Sequence, residues 1–170
     1  MGGFFGKLPG AGDFVARGVS PAMRNWLDAW LTRWVADYAR EPDLWPPGGL
    51  RGLLDAPGGP FLVVIGPSID RAGREFPLLA CNEAPDTTRE AADHWADRAA
   101  VALSRAVSGA YDADTLLAAL ETVLLPQADA AAVRLAAPFL WTDDAEGPPE
   151  LVIPAVFGPL SSDLSSNPSS

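Results

Sequence analysis

At 170 residues, 48% hydrophobic and 20% charged, the chain has the make-up of one globular domain able to bury a core. No apolar run reaches the length of a membrane span, no export signal opens the chain, and the lone Cys81 excludes an internal disulfide, so a soluble cytoplasmic protein without membrane insertion is expected. The net charge of −10 falls wholly in the second half: residues 1–80 carry eight Lys/Arg against eight Asp/Glu, residues 81–170 four against fourteen, which argues against a nucleic-acid partner and favours solubility or a basic protein partner.

Phe4-Phe5 opens a short strand, after which Gly6, Pro9, Gly10 and Gly12 impose an irregular path. Gly6-Lys7 invites a phosphate-loop reading, but the motif's leading glycine is Met1 here, and its Ser or Thr is Leu8. Lys7 and Asp13 are then left either to present charge or to tie the loop to the sheet. Ser20-Pro21 caps a helix that is expected to run to about Arg40, before Pro42. Met23, Trp26, Leu27, Trp30, Leu31, Trp34 and Tyr38 share one face of it, and a stripe this regular reads as core packing. Residues 41–60 hold five prolines and five glycines, and read as a loop with one short turn at Leu50–Leu54.

Phe61–Ile65 and Phe76–Cys81 are strands, too short for helices and apolar at nearly every position. That pattern fits a sheet covered on both faces. Asp70, Arg71, Gly73 and Arg74 cluster in the loop between them, with Ser68 at its start. Thr87 with Glu90 suggests a capping box for a helix reaching Ser108, and Asp112 caps a shorter helix to Leu125. Ala131–Ala136, Phe139–Thr142 and Leu151–Phe157 are the remaining strand candidates, the last an edge strand or bulge because of Pro154. The acidic stretch from Asp143 to Glu146 lacks the spacing of a calcium loop and reads as a solvated turn. Residues 161–170 are serine-rich and expected to be mobile.

One histidine, His94, and one cysteine cannot assemble a zinc site without several carboxylates. A Cys81–His94 nucleophile pair is conceivable, yet Cys81 ends an apolar strand, where a thiol behaves as a small hydrophobe. No nucleophile elbow or dinucleotide glycine pattern occurs, so neither an enzyme nor a cofactor is expected. The competing reading is a small cytoplasmic hydrolase using Cys81 or an acidic residue.

The blocks GFFGKLPGAGDFVARG at 3–18 and GPSIDRAGREFPL at 66–78, with a Trp-rich helix between them, resemble the TagF family, also called ImpM, of the bacterial type VI secretion system. In the helix, Trp26-Leu27-Asp28 departs from the family's Trp-Asp by one inserted residue, while Trp30-Leu31 fits. Beyond residue 78 the resemblance extends only to the order of elements. It implies a single α/β domain over residues 1–160, arranged in three layers, with helices on both faces of a mostly antiparallel or mixed sheet. It also implies a post-translational repressor of secretion, tied to that system's forkhead-associated scaffold rather than to catalysis. Carried onto this chain, the matching blocks make Lys7, Asp13, Ser68, Asp70, Arg71 and Arg74 the candidate partner-binding residues. The alternative for the same residues is structural, with Asp13 and Asp70 pairing with Arg71 and Arg74 to lock the two loops together.

Overall fold

A computed structural model of the chain describes residues 2–159. Met1 and the serine-rich tail expected to be mobile lie outside the described residues. Among these, seven strands form one antiparallel sheet in the order β2-β1-β5-β4-β3-β6-β7. The strands are β1 (Gly2–Gly6), β2 (Val15–Arg17), β3 (Leu50–Ala56), β4 (Gly59–Gly66), β5 (Leu78–Glu83), β6 (Phe139–Trp141) and β7 (Glu146–Gly147). The α-helices are α1 (Pro21–Trp34), α2 (Arg89–Val107), α3 (Ala113–Glu121) and α4 (Pro149–Phe157). The protein is therefore α/β, with a sheet that is antiparallel throughout.

The two apolar runs that organise the sequence are its central pair, β4 and β5, with Ile65 opposite Leu79 and Phe61 opposite Glu83. Neighbouring residues along the strands enter two different hydrophobic clusters, as a pleat of period two requires. Phe4, Leu62, Val64 and Ala80 join residues of α2 and α3 around Trp95. Phe5, Val63, Ile65, Leu79 and Cys81 join Met23, Leu27 and Leu31 of α1 and Val152, Ile153 and Phe157 of α4. This double use explains why the strands are apolar at successive positions.

Several expectations need correction. Leu50–Leu54 is not a turn but most of β3, paired with β4 from Leu50–Ile65 to Ala56–Gly59. The glycines and prolines of that region flank the strand, and Gly52 is accommodated within it. Leu151–Phe157 is the helix α4, not an edge strand. Pro149 sits at its start, where a missing amide costs nothing, and Pro154 sacrifices one internal hydrogen bond while Val152, Ile153 and Phe157 are buried. Ala131–Ala136 forms no strand; only an isolated bridge joins Arg134 to Thr88. The Arg134 side chain is drawn to Asp86 at 2.6 Å and to the carbonyls of Asp129 and Ala132.

Helix boundaries also shift. The first helix stops at Trp34 and continues as 3₁₀ turns over Ala36–Arg40 and Pro42–Leu44. The tighter turns bring Tyr38 into a stack with Phe157, rings 4.6 Å apart, and its carbonyl to the Trp45 indole at 2.9 Å. Within α1 the leucines and Met23 are the buried residues, whereas Trp26, Trp30 and Trp34 lie half-buried along the flank. Thr88 rather than Thr87 caps α2, accepting from the Ala91 amide at 3.2 Å, and α3 ends at Glu121 instead of Leu125.

The register gathers four strand ends at one end of the sheet. Gly6 and Gly66 both face Leu78, and Leu50 faces Ile65. The loops at 7–14 and 67–77 therefore leave the sheet side by side, although they are separated by some sixty residues of sequence.

Candidate partner-binding site

The loop after β4 folds back on itself around Asp70, whose side chain is wholly buried. Its Oδ1 accepts the amides of Ala72 and Arg74, both at 2.9 Å. Its Oδ2 accepts Arg74 Nε at 2.7 Å and pairs with Lys7 Nζ at 3.2 Å. The backbone closes the same turn: the Asp70 amide donates to Arg74 O and the Gly73 amide to Asp70 O, each at 3.0 Å. Gly73 takes φ +78°, which a side chain would resist. Burial by itself would push the Asp70 carboxyl up; the Arg74 amide, Lys7, the Ala72 amide and the Arg74 side chain outweigh it and hold the group down at about 2.

Contacts between the loops complete the arrangement. Ser68 Oγ donates to Lys7 O at 2.7 Å, the Arg71 amide to Ala11 O at 2.8 Å, and Arg74 Nη2 to Gly12 O at 2.8 Å. Phe14 of the first loop stacks on Phe5 with rings 5.8 Å apart and meets Phe76 edge-on at 4.8 Å. Lys7 Nζ lies 5.1 Å from the Phe14 ring centre. Such aromatic and cation contacts strengthen where water is excluded.

The six predicted residues therefore separate. Lys7, Ser68 and Asp70 are buried and face inward, so they bind the loops together. Lys7, spent on Asp70, is not placed as a phosphate-loop lysine. Arg74 spans both roles, with 63% of its side chain exposed beyond its contacts. Arg71 and Asp13 are exposed and make no ion pair among the described residues; the Asp13 carboxylate accepts the amide of Phe14 at 2.7 Å. The expected pairing of Asp13 and Asp70 with the two arginines is thus half right, with Lys7 in the place expected for Arg71. Sequence reasoning passed over Phe14 and Phe76, and Ile69, 42% exposed at the base of the tip. Beside Pro67 an apolar recess of about 380 Å³ opens towards Ala100, Leu103 and Val107 of α2.

The remaining chemistry lies elsewhere. Cys81 is buried against the α1 and α4 cluster, and burial pushes its thiol up to about 12. His94 is exposed on α2, which packs into the other cluster. The structure does not bring the two together as a catalytic pair. Native protein is expected to resist alkylation by iodoacetamide at neutral pH and to react once unfolded in guanidinium; rapid labelling of the folded chain would contradict this placement. Among the described residues no group of three His, Cys, Asp or Glu is placed to hold a metal ion, and no helix is long and apolar enough to cross a membrane. A second charged network was not anticipated: Asp93 accepts Arg51 at 2.9 Å, the Trp141 indole at 2.8 Å and Arg89 at 3.1 Å. It fastens α2 to the sheet at β3 and β6.

Comparison with known proteins bears on this geometry. A family model described as the TagF N-terminal domain, type VI secretion system-associated, matches residues 3–47, which contain the whole first loop and α1. Residues 3–47 are TagF-like. The resemblance drawn from the first sequence block and the Trp-rich helix is borne out, and it links the chain to type VI secretion; the block at 66–78 lies beyond the match. The crystal structure of PA0076 from Pseudomonas aeruginosa PAO1 is similar in fold, with a TM-score of 0.59 at 22% identity over 87% of this chain and 70% of that one. None of the curated proteins compared matches the chain. The TagF-like segment supplies Lys7 and Phe14, whereas Asp70, Arg71 and Arg74 come from beyond it. The candidate site is thus assembled from the TagF-like segment and the β4–β5 loop together.

Proposed function

We propose that this chain is a non-enzymatic cytoplasmic regulator that restrains type VI secretion by binding a protein component of the machine, with the forkhead-associated scaffold as first candidate. The observation that carries this reading is the Asp70 clamp. It uses buried groups to fix two loops and leaves Arg71, Arg74, Asp13 and Ile69 displayed outward on a rigid frame. Loops ordered before binding lose little further conformational freedom on association, so their contacts convert more fully into affinity. Arginine is also among the side chains enriched at the energetic centres of protein interfaces. The division of strand residues between two helix-containing clusters supports a three-layer domain that holds this frame from both sides. The buried thiol of Cys81 gives no support to the hydrolase reading.

The test is co-purification of the full chain with the forkhead-associated subunit of its own type VI system, wild type beside Arg71→Glu. The exposed position of Arg71 predicts a melting temperature within about 2 °C of wild type, because surface substitutions change stability by about 0.5 kcal/mol or less. Loss of capture by a variant that melts normally supports the reading. Failure of the wild type to capture the scaffold overturns the choice of that partner, and equal capture by both forms removes the loops from the interface.

A further inference from the structure

The two guanidinium groups at the loop tip converge on one peptide. Arg74 Nη2 donates to the Gly12 carbonyl, and Arg71 Nη2 lies so close to the same glycine that a Cβ there would stand 2.9 Å from it. Two cations held beside one residue repel each other unless an anion or water intervenes. Asp70 answers Arg74 through Oδ2, but its side chain is wholly buried and its Oδ1 is already taken by two amides. Arg71 has no such answer among the described residues. Its backbone is nonetheless held, by the amide bond to Ala11 and by the clamped turn that follows. Asp13 and Glu75, which follow Gly12 and Arg74 in sequence, are exposed and make no ion pair among the described residues.

Deepening the regulatory reading, we infer that Arg71 and Arg74 form a carboxylate-binding site at Gly12 for an acidic side chain of the protein partner. The planar fork of an arginine matches two carboxylate oxygens, and charge-assisted bonds of this kind are the strong ones. The carboxylates of Asp13 and Glu75, one residue along the chain from Gly12 and Arg74, oppose a doubly charged anion more than a singly charged one, which selects carboxylate over phosphate. Gly12 contributes by lacking a side chain: any Cβ would displace the Arg71 guanidinium from its place.

The site can be tested without the partner. Isotopically labelled full-length protein is titrated with N-acetyl-glutamate amide at constant ionic strength, while the Gly12 amide and the Nε–Hε signals of both arginines are followed by NMR. N-acetyl-glutamine amide and inorganic phosphate serve as the comparison probes. Saturating shifts are expected with the glutamate probe and not with the glutamine probe. Arg71→Gln, whose amide spectrum should otherwise overlay that of wild type, is expected to weaken binding about tenfold. Absence of saturation, equal response to the neutral probe, or tighter binding of phosphate than of glutamate each overturns the assignment. Should the scaffold fail to co-purify while this titration saturates, the choice of the scaffold as partner falls and the carboxylate site stands.

Discussion

Asp70→Asn is expected to lower the melting temperature by about 10 °C and to flatten the acid side of the stability curve. An asparagine has the right size but the wrong inventory. Asp70 receives two amides, one guanidinium and one ammonium, all donors, whereas the amide nitrogen of asparagine is itself a donor facing them. Lys7, with only 10% of its side chain exposed, would keep its charge and lose its counter-charge. The pH dependence follows from the same contacts. The folded-state group titrates at about 2 against an ordinary 3.8, so between these values the unfolded chain binds the proton more readily. Stability contributed by Asp70 is therefore complete above about pH 4 and lost as pH falls towards 2. Urea unfolding of wild type and variant from pH 7 to pH 2 checks both statements. Two curves that converge as the pH falls support the clamp; curves that stay parallel throughout would remove it.

This result bears on how loop charges are read in general. The sequence shows Lys7, Asp13, Asp70, Arg71 and Arg74 as equivalent charges in two turns, and nothing in their spacing says which are internal. The distinction comes from register: only once Gly6 and Gly66 are both opposite Leu78 do Lys7 and Asp70 meet. Long-range pairing of that kind is written across the sheet, not within either loop. The same limit explains α4. Leu151 to Phe157 is apolar and β-branched enough to read as a strand, and its helical state depends on packing against the α1 side of the core. By contrast, the central hairpin and the capped starts of α1, α2 and α3 rest on local signals: the helix starts were legible within about a residue, and the strands as β4 and β5, with β5 running Leu78–Glu83 rather than Phe76–Cys81. The residues themselves located the two charged loops; only the structure separates the side chains buried between them from those left exposed.

Gly6→Ala tests the frame beneath those loops and is expected to be more damaging than any change at the exposed tip. Gly6 ends β1 with partners on both sides, Val15 in β2 and Leu78 in β5, and adopts φ +144°. A Cβ here would collide with the Pro77 carbonyl oxygen and stand 2.8 Å from Leu78 Cα, both backbone atoms that cannot rotate away. Either β1 separates from β5 or the 7–14 loop changes course, and in both cases Lys7 leaves Asp70. Backbone strain and overpacking together amount to about 3 kcal/mol or more, a fall of about 10 °C for a chain of this size. Gly66→Ala supplies the contrast. It occupies the equivalent place on the other side of Leu78, yet a Cβ there meets nothing within 4 Å. Its expected cost is below about 1 kcal/mol, because a strand glycine gains little and loses little on becoming alanine. Thermal unfolding of the two variants side by side separates close packing at Gly6 from a general intolerance of substitution at this end of the sheet. Equal losses would mean that the close approach of Pro77 to Gly6 does not govern the fold.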